Sequence, residues 1–210
     1  LDHLLVSAAS LRLEGNLSLA PGGVPRDFDL RGQIADPLGS DLVRLPLGGD
    51  PVTVRSVDLH LTHDAAQRDT YTARIGLRDL DLGTMEIAGI ALDASGRIIQ
   101  TDQATRIDTP IRLDITGMSH DDPAVANALG RTARLEARLS WQDGMPLTLT
   151  DLVAEAGDLG LTGMASLVLQ DNRLTLATDL GARAEDLGRF APLAGQPLAG
   201  PLGGNLIAEV

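Results

Sequence analysis

Ile111-Arg112-Leu113-Asp114-Ile115-Thr116 sets an aliphatic side chain against a polar one at every second position. Successive side chains of an extended strand point to opposite faces, so this stretch reads as a strand with one dry face and one wet face. The pattern recurs outward in both directions. Leu135, Ala137, Leu139 and Trp141 alternate with Arg134, Glu136, Arg138 and Ser140. Upstream, Val57, Leu59 and Leu61 alternate with Asp58, His60 and Thr62. Leu11, Leu13, Leu17 and Leu19 alternate with Arg12, Glu14, Asn16 and Ser18, with Gly15 on the apolar side. Weaker versions occur at Tyr71 to Leu77, Leu80 to Leu82, Leu147 to Leu149, Leu167 to Leu169 and Leu174 to Leu180.

Parallel sheets covered by helices carry continuous apolar runs, so this alternation predicts antiparallel pairing. Turn signals separate the runs: Pro21-Gly22-Gly23, Asp36-Pro37-Leu38-Gly39, Gly48-Gly49-Asp50-Pro51, Ala94-Ser95-Gly96, Gln142-Asp143-Gly144 and Gln170-Asp171-Asn172. Such short connections join sequential strands into a meander of roughly a dozen strands or more. Two stretches read as helix, both about two turns long. Residues 122–129 have a capping Asp122, Pro123 in the first turn and Gly130 to end them; residues 184–190 are stopped by Pro192. A sub-boundary is expected around residues 117–132.

Helices this short leave the leucines without cover. Two sheets packed face to face as a sandwich would bury them; so would one long sheet curled into a trough whose interior stays partly open. Period two fits both. The number of strands leans toward the single curled sheet, because a meander this long exceeds the usual sandwich. The expected fold class is therefore mainly β: a long curled antiparallel meander, trough-like, with two short helices.

Composition narrows the function classes. The net charge of −12 leaves no basic patch to displace counterions from nucleic acid or to adhere to anionic headgroups. No apolar run has the length of a membrane-spanning helix, and no cysteine is present for disulfides or thiolate metal sites. Phe28, Tyr71, Trp141 and Phe190 are the only aromatic rings besides the histidines. Leu, Ala, Val and Ile carry the apolar content instead, a bias that codon usage also produces, since all 17 basic residues are arginine. Leu1 lies in an apolar stretch and Leu206 to Val210 read as a strand beginning, so the chain reads as one internal piece, residues 1–210, of a longer protein.

Candidate reactive groups each meet a plainer reading. His60 and His63 lie three apart and so point to opposite faces of a strand, which predicts two solvated polar positions rather than a metal pair. His120-Asp121-Asp122 precedes a helix, where a carboxylate caps free N–H groups. Asp79, Asp81 and Glu86 carry carboxylates near Gly83 but lack the remaining oxygen ligands of a calcium loop. Gly157, Gly160 and Gly163 read as strand glycines, not a phosphate loop. No nucleophile elbow is present. The expectation is a non-catalytic chain with no cofactor and no metal.

The most specific stretch is C-terminal. Gly160-Leu161-Thr162-Gly163-Met164-Ala165-Ser166-Leu167-Val168-Leu169-Gln170-Asp171-Asn172-Arg173-Leu174-Thr175-Leu176 is a hairpin of alternating leucines. It is followed by Glu185-Asp186-Leu187-Gly188-Arg189-Phe190-Ala191-Pro192-Leu193-Ala194-Gly195-Gln196-Pro197-Leu198-Ala199-Gly200-Pro201-Leu202. A small helix and a Pro-Leu, Gly-rich passage after a leucine hairpin resembles the middle region of the TamB family, in the AsmA-like group of Gram-negative envelope proteins. The resemblance covers roughly residues 157–202. It implies a periplasmic protein anchored in the inner membrane, with a tapered β-trough that passes phospholipid toward the outer membrane. It further implies a TamA-like outer-membrane partner in outer-membrane protein and autotransporter assembly.

Under that reading the partners are phospholipid acyl chains, not nucleic acid. An acyl chain leaving a bilayer loses about 0.8 kcal/mol per CH₂, or about 12 kcal/mol for roughly fifteen, and a continuous aliphatic strip offsets most of that loss. The expected lining is Leu11, Leu13, Leu17, Leu19, Val57, Leu59, Leu61, Leu80, Leu82, Ile111, Leu113, Ile115, Leu135, Leu139, Leu147, Leu149, Leu174 and Leu176.

Overall fold

The computed structural model describes residues 4–19, 25–45, 51–64, 69–100, 104–170 and 173–209. Among these, fourteen strands form one antiparallel sheet that does not close. The first are β1 (Leu4–Ala8), β2 (Leu11–Leu19) and β3 (Pro25–Ala35), followed by the two-residue strands β4 (Val43–Arg44) and β5 (Thr53–Val54). Then come β6 (Ser56–Asp64), β7 (Thr70–Asp81), β8 (Met85–Gln100) and β9 (Thr105–His120). After a helix, β10 (Thr132–Gln142), β11 (Leu147–Ala156), β12 (Leu159–Gln170), β13 (Arg173–Ala184) and β14 (Leu202–Glu209) complete it. Apart from β4 and β5, each strand lies beside its neighbour in sequence. The turn signals at Pro21-Gly22-Gly23, Gly48-Gly49-Asp50 and Asp171-Asn172 lie outside the described residues, as does His3.

The expected open meander is what forms, and among the described residues no second sheet covers it. The chain exposes 13493 Å², against about 9,300 Å² for a compact chain of this mass. Among the described residues only eight hydrophobic side chains are buried: Val54, Leu80, Ile87, Met118, Ala128, Ala137, Leu152 and Ala184. A sandwich seals its inner leucines; here Leu13, Leu59, Leu113 and Leu135 all keep contact with solvent.

Four of the eight form one cluster, Val54, Leu80, Ile87 and Met118, flanked by Leu77, Ile90 and Ile115. A shared kink builds it. The ladders joining β7, β8 and β9 pass over Asp79, Ala88 and Gly117, while the pairs on either side keep one register. Asp79 and Gly117 take positive φ, +47° and +65°. Alternation therefore slips by one, and Leu77 with Leu80, Ile90 with Ile87 and Ile115 with Met118 share a face although three residues apart. In the adjoining strand line Arg55 falls between β5 and β6; its N–H donates to the Arg78 carbonyl at 2.9 Å and its guanidinium meets Asp79 at 3.1 Å. Leu45 and Val52, next to β4 and β5, close over the cluster.

Two expectations need correction. Ala94-Ser95-Gly96 is not a turn but lies within β8, where Gly96 serves a close approach. A Cβ there would stand 2.5 Å from the Asp108 carbonyl oxygen and 2.6 Å from the Thr109 Cβ. The second helix is displaced from 184–190: Ala184 ends β13, a 3₁₀ turn spans Leu187–Phe190, and α2 follows at Ala191–Ala194. Pro192 does not stop it but sits in the first turn of α2, where its missing N–H costs nothing. The first helix, α1 (Pro123–Leu129), has its expected ends: Asp122 accepts from the Ala124 N–H at 2.8 Å, and Gly130 follows at φ +73°. Arg189 of the 3₁₀ turn donates twice to the Asn127 carbonyl and pairs with Asp158, tying the helical segments to the β11–β12 turn.

Candidate functional site

Antiparallel partners directly opposite one another project from the same face, so the registers trace rows across the sheet. One row runs Val6, Leu13, Gly32, Leu59, Ile75, Leu92, Leu113, Leu135, Ala154, Leu161, Ala182, Gly204. It crosses twelve strands, about 50 Å at strand spacing, and meets no polar side chain. The next row is Ala8, Leu11, Ile34, Val57, Leu77, Ile90, Ile115, Ala133, Ala156, Leu159, Ala184, Leu202, also without a polar member. On the other side of the first row lie Leu4, Gly15, Leu30, Leu61, Ala73, Ala94, Ile111 and Ala137. A hollow of about 170 Å³ opens on this face between Leu113, Ile115, Ala133, Leu135, Ala154, Ala156, Leu159 and Leu161.

Half of the expected lining falls on this surface: Leu11, Leu13, Val57, Leu59, Leu61, Ile111, Leu113, Ile115 and Leu135 occupy the three rows. Leu139 and Leu149 pair with each other, and Leu139 with Thr109, one row further out. Leu17 pairs with Phe28 in the row of His63 and Tyr71. Leu147 and Leu176 both partner Leu167 at the margin. Two residues depart. Leu80 is sealed in the kink cluster at 9% exposure, and Leu82 falls beyond β7 in the turn to β8. The side chains of Leu19 and Leu174 lie outside the described residues. Ile75, inside the alternation from Tyr71 to Leu77, and Leu92 lie at the middle of the first row although neither is among the expected lining.

The opposite face is a lattice of charges. Arg112 and Asp114 meet at 2.6 Å, Arg138 and Asp108 at 2.8 Å, Arg74 and Asp93 at 3.3 Å, Arg183 and Glu155 at 3.2 Å. Arg112 also holds the Asp114 carboxyl below its usual range through their hydrogen bond. Exposed pairs of this kind are screened by water and contribute little to stability, so their effect is to keep this face wet rather than to stabilise the sheet. Hollows of about 580 and 490 Å³ lie on it. Because their arginines already face carboxylates, they offer an anion little net charge.

The other candidate residues have structural partners. His60 and His63 point to opposite faces as expected; His60 Nε2 lies 2.9 Å from Asp29 on the wet face. His63, however, is not solvated. It is 9% exposed on the apolar side and stacked on Phe28, ring centroids 5.4 Å apart. His120 Nδ1 accepts from the Asp122 N–H at 2.9 Å. Asp79 pairs with Arg55, and Asp81 accepts from the Gly83 N–H at 2.7 Å. Gly160 and Gly163 lie in β12, but Gly157 forms the turn before it.

Tyr71 stands beside His63 and opposite Gly96, with Thr109 beyond that glycine. Burial pushes the phenol above its ordinary value of 10.0, the neighbouring Thr109 hydroxyl opposes this, and the charge of Asp108 adds to it. The folded chain thus holds this proton more tightly than the unfolded chain. Stability is intact below the unfolded value and falls as pH rises through and beyond it. Tyr71→Phe is expected to flatten that alkaline loss in urea unfolding followed from about pH 9 to about pH 11; an unchanged slope would show that Tyr71 is not its source.

Compared with protein-family models, with curated proteins and with solved structures, the chain matches none.

Proposed function

We propose that this chain is a non-catalytic segment of a TamB/AsmA-like, periplasm-spanning protein of the Gram-negative envelope, anchored in the inner membrane. Its apolar face carries phospholipid acyl chains between the inner and outer membranes, in support of outer-membrane protein and autotransporter assembly with a TamA-like partner. The observation that supports this most is the row from Val6 to Gly204: twelve strands contribute, none interrupts it with a polar group, and among the described residues no second layer covers it. A closed core would satisfy the same leucines without a guest. An uncovered strip of this length has use for hydrocarbon from elsewhere.

Lack of a conventional site suits the task. A specific polar contact would create a well in which lipid stalls, whereas equal aliphatic contacts at each strand let it slide. Mass spectrometry of lipid extracted from the purified chain tests the reading. Diacyl phospholipid is expected to co-purify in stoichiometric amount. Its absence, with the sheet intact by circular dichroism, would leave a structural or adhesive module instead.

A further inference from the structure

We infer that phospholipid lies on this face in one orientation, its acyl chains along the strands and its polar end at the margin marked by Phe28, His63, Tyr71 and Trp141. The inference rests on the lipid-carrying reading above and adds a direction to it.

The two margins of the apolar face differ in chemistry. At one, Val54, Leu80, Ile87 and Met118 form the sealed hydrocarbon cluster, with Val54 fully buried. At the other lie three of the four Phe, Tyr and Trp rings in the chain. Phe28, His63 and Tyr71 occupy one row as successive cross-strand partners. Trp141 is a row further out, opposite Ile107. Thr109, only 1% exposed, adds a hydroxyl to the same row. In a chain so poor in rings, their collection on one edge of one face is informative. Tyr and Trp, apolar in body and polar at the tip, settle where hydrocarbon meets water.

Distance agrees with this polarity. From Tyr71 to Leu77 along β7 is about 20 Å at strand rise. The hydrocarbon of one bilayer leaflet is about 15 Å deep. A lipid with its polar end beside Tyr71 therefore ends its acyl chains before the sealed cluster, which has no room to admit them. Laid across the strands instead, its headgroup would sit on a row that offers no polar atom from a side chain. Lipids passing along the sheet would then move sideways, each keeping its head to the ringed margin.

Trp141 is the one tryptophan of the chain and reports this margin directly. Phosphatidylcholine brominated close to the glycerol is expected to diminish Trp141 emission more than phosphatidylcholine brominated close to the methyl ends. With the reporter moved to the other margin in a Trp141→Phe, Leu77→Trp double variant, the order is expected to reverse. Ile90→Trp replaces Leu77→Trp if circular dichroism shows that the sheet is lost. Equal quenching by the two lipids, or the same order at both reporters, would overturn the orientation while leaving lipid carriage standing. Quenching by neither lipid at either reporter would refute carriage itself, and the orientation with it.

Discussion

Leu113→Asp is expected to abolish phospholipid transfer along the apolar face while leaving the sheet folded. Leu113 sits in the unbroken row between Leu92 and Leu135 and borders the hollow on the apolar face. It is half-buried by its neighbours and keeps contact with solvent, so a carboxylate there stays partly hydrated in the empty protein. An acyl chain crossing the same position would strip that water away. The cost of a charge against hydrocarbon is roughly 2.5–3.5 kcal/mol on membrane-insertion scales, a loss of about 100-fold in occupancy at that point. Because the lipid must pass every strand, one such barrier interrupts the whole strip. Phospholipid transfer and urea unfolding measured on the same variant separate the effects: transfer should vanish while the unfolding midpoint moves little. Ile115→Arg is a less clean probe, since Ile115 also packs against the kink cluster. Wild-type transfer by Leu113→Asp would remove Leu113 from the path.

Ile87→Ala is expected to have the opposite profile, a large loss of stability with lipid contact on the rows retained. Ile87 is 6% exposed and packs with Val54, Leu80 and Met118. Truncating a buried isoleucine forfeits its transfer free energy and leaves a cavity, typically about 2–5 kcal/mol together. Few other side chains of this sheet are as well enclosed, so the cluster supplies an unusual share of its tertiary packing. Leu59→Ala is the matched control. Leu59 is only half-buried on the open face, and its truncation is expected to cost about 1 kcal/mol or less. Equal destabilisation by the two variants in urea unfolding would mean that the rows are as tightly packed as the cluster, contrary to the open face described above.

Much of the fold was legible because period two is a local property. Residues 111–116 state it in six positions, and the sheet repeats it. The strands that escaped notice did so for physical reasons. In β8 the shared kink sets Ile87 and Ile90 three apart, so Met85 to Leu92 shows no clean alternation even though it lies at the centre of the sheet. In β3 the apolar side is Phe28, Leu30, Gly32 and Ile34, and the glycine dilutes the signal. His63 was misjudged for a related cause: its type suggested solvent, whereas its place in the row with Phe28 and Tyr71 put it on the dry side. Which leucines form one surface depends on register between strands, which no single strand encodes. Leu80 shows this, since its own strand gave no sign that Val54 would arrive from β5 to seal it.

The most direct measurement places a photoreactive phenylalanine analogue in turn at Ile75, Leu92, Leu113 and Leu135, and at their chain neighbours Arg74, Asp93, Arg112 and Arg134. The protein is irradiated in cells whose phospholipid carries radioactive phosphate. Label is expected on the protein from the first four positions and not from the second four, alternating residue by residue along each strand. Equal labelling of both sets, or labelling of neither, would contradict a lipid-bearing apolar face.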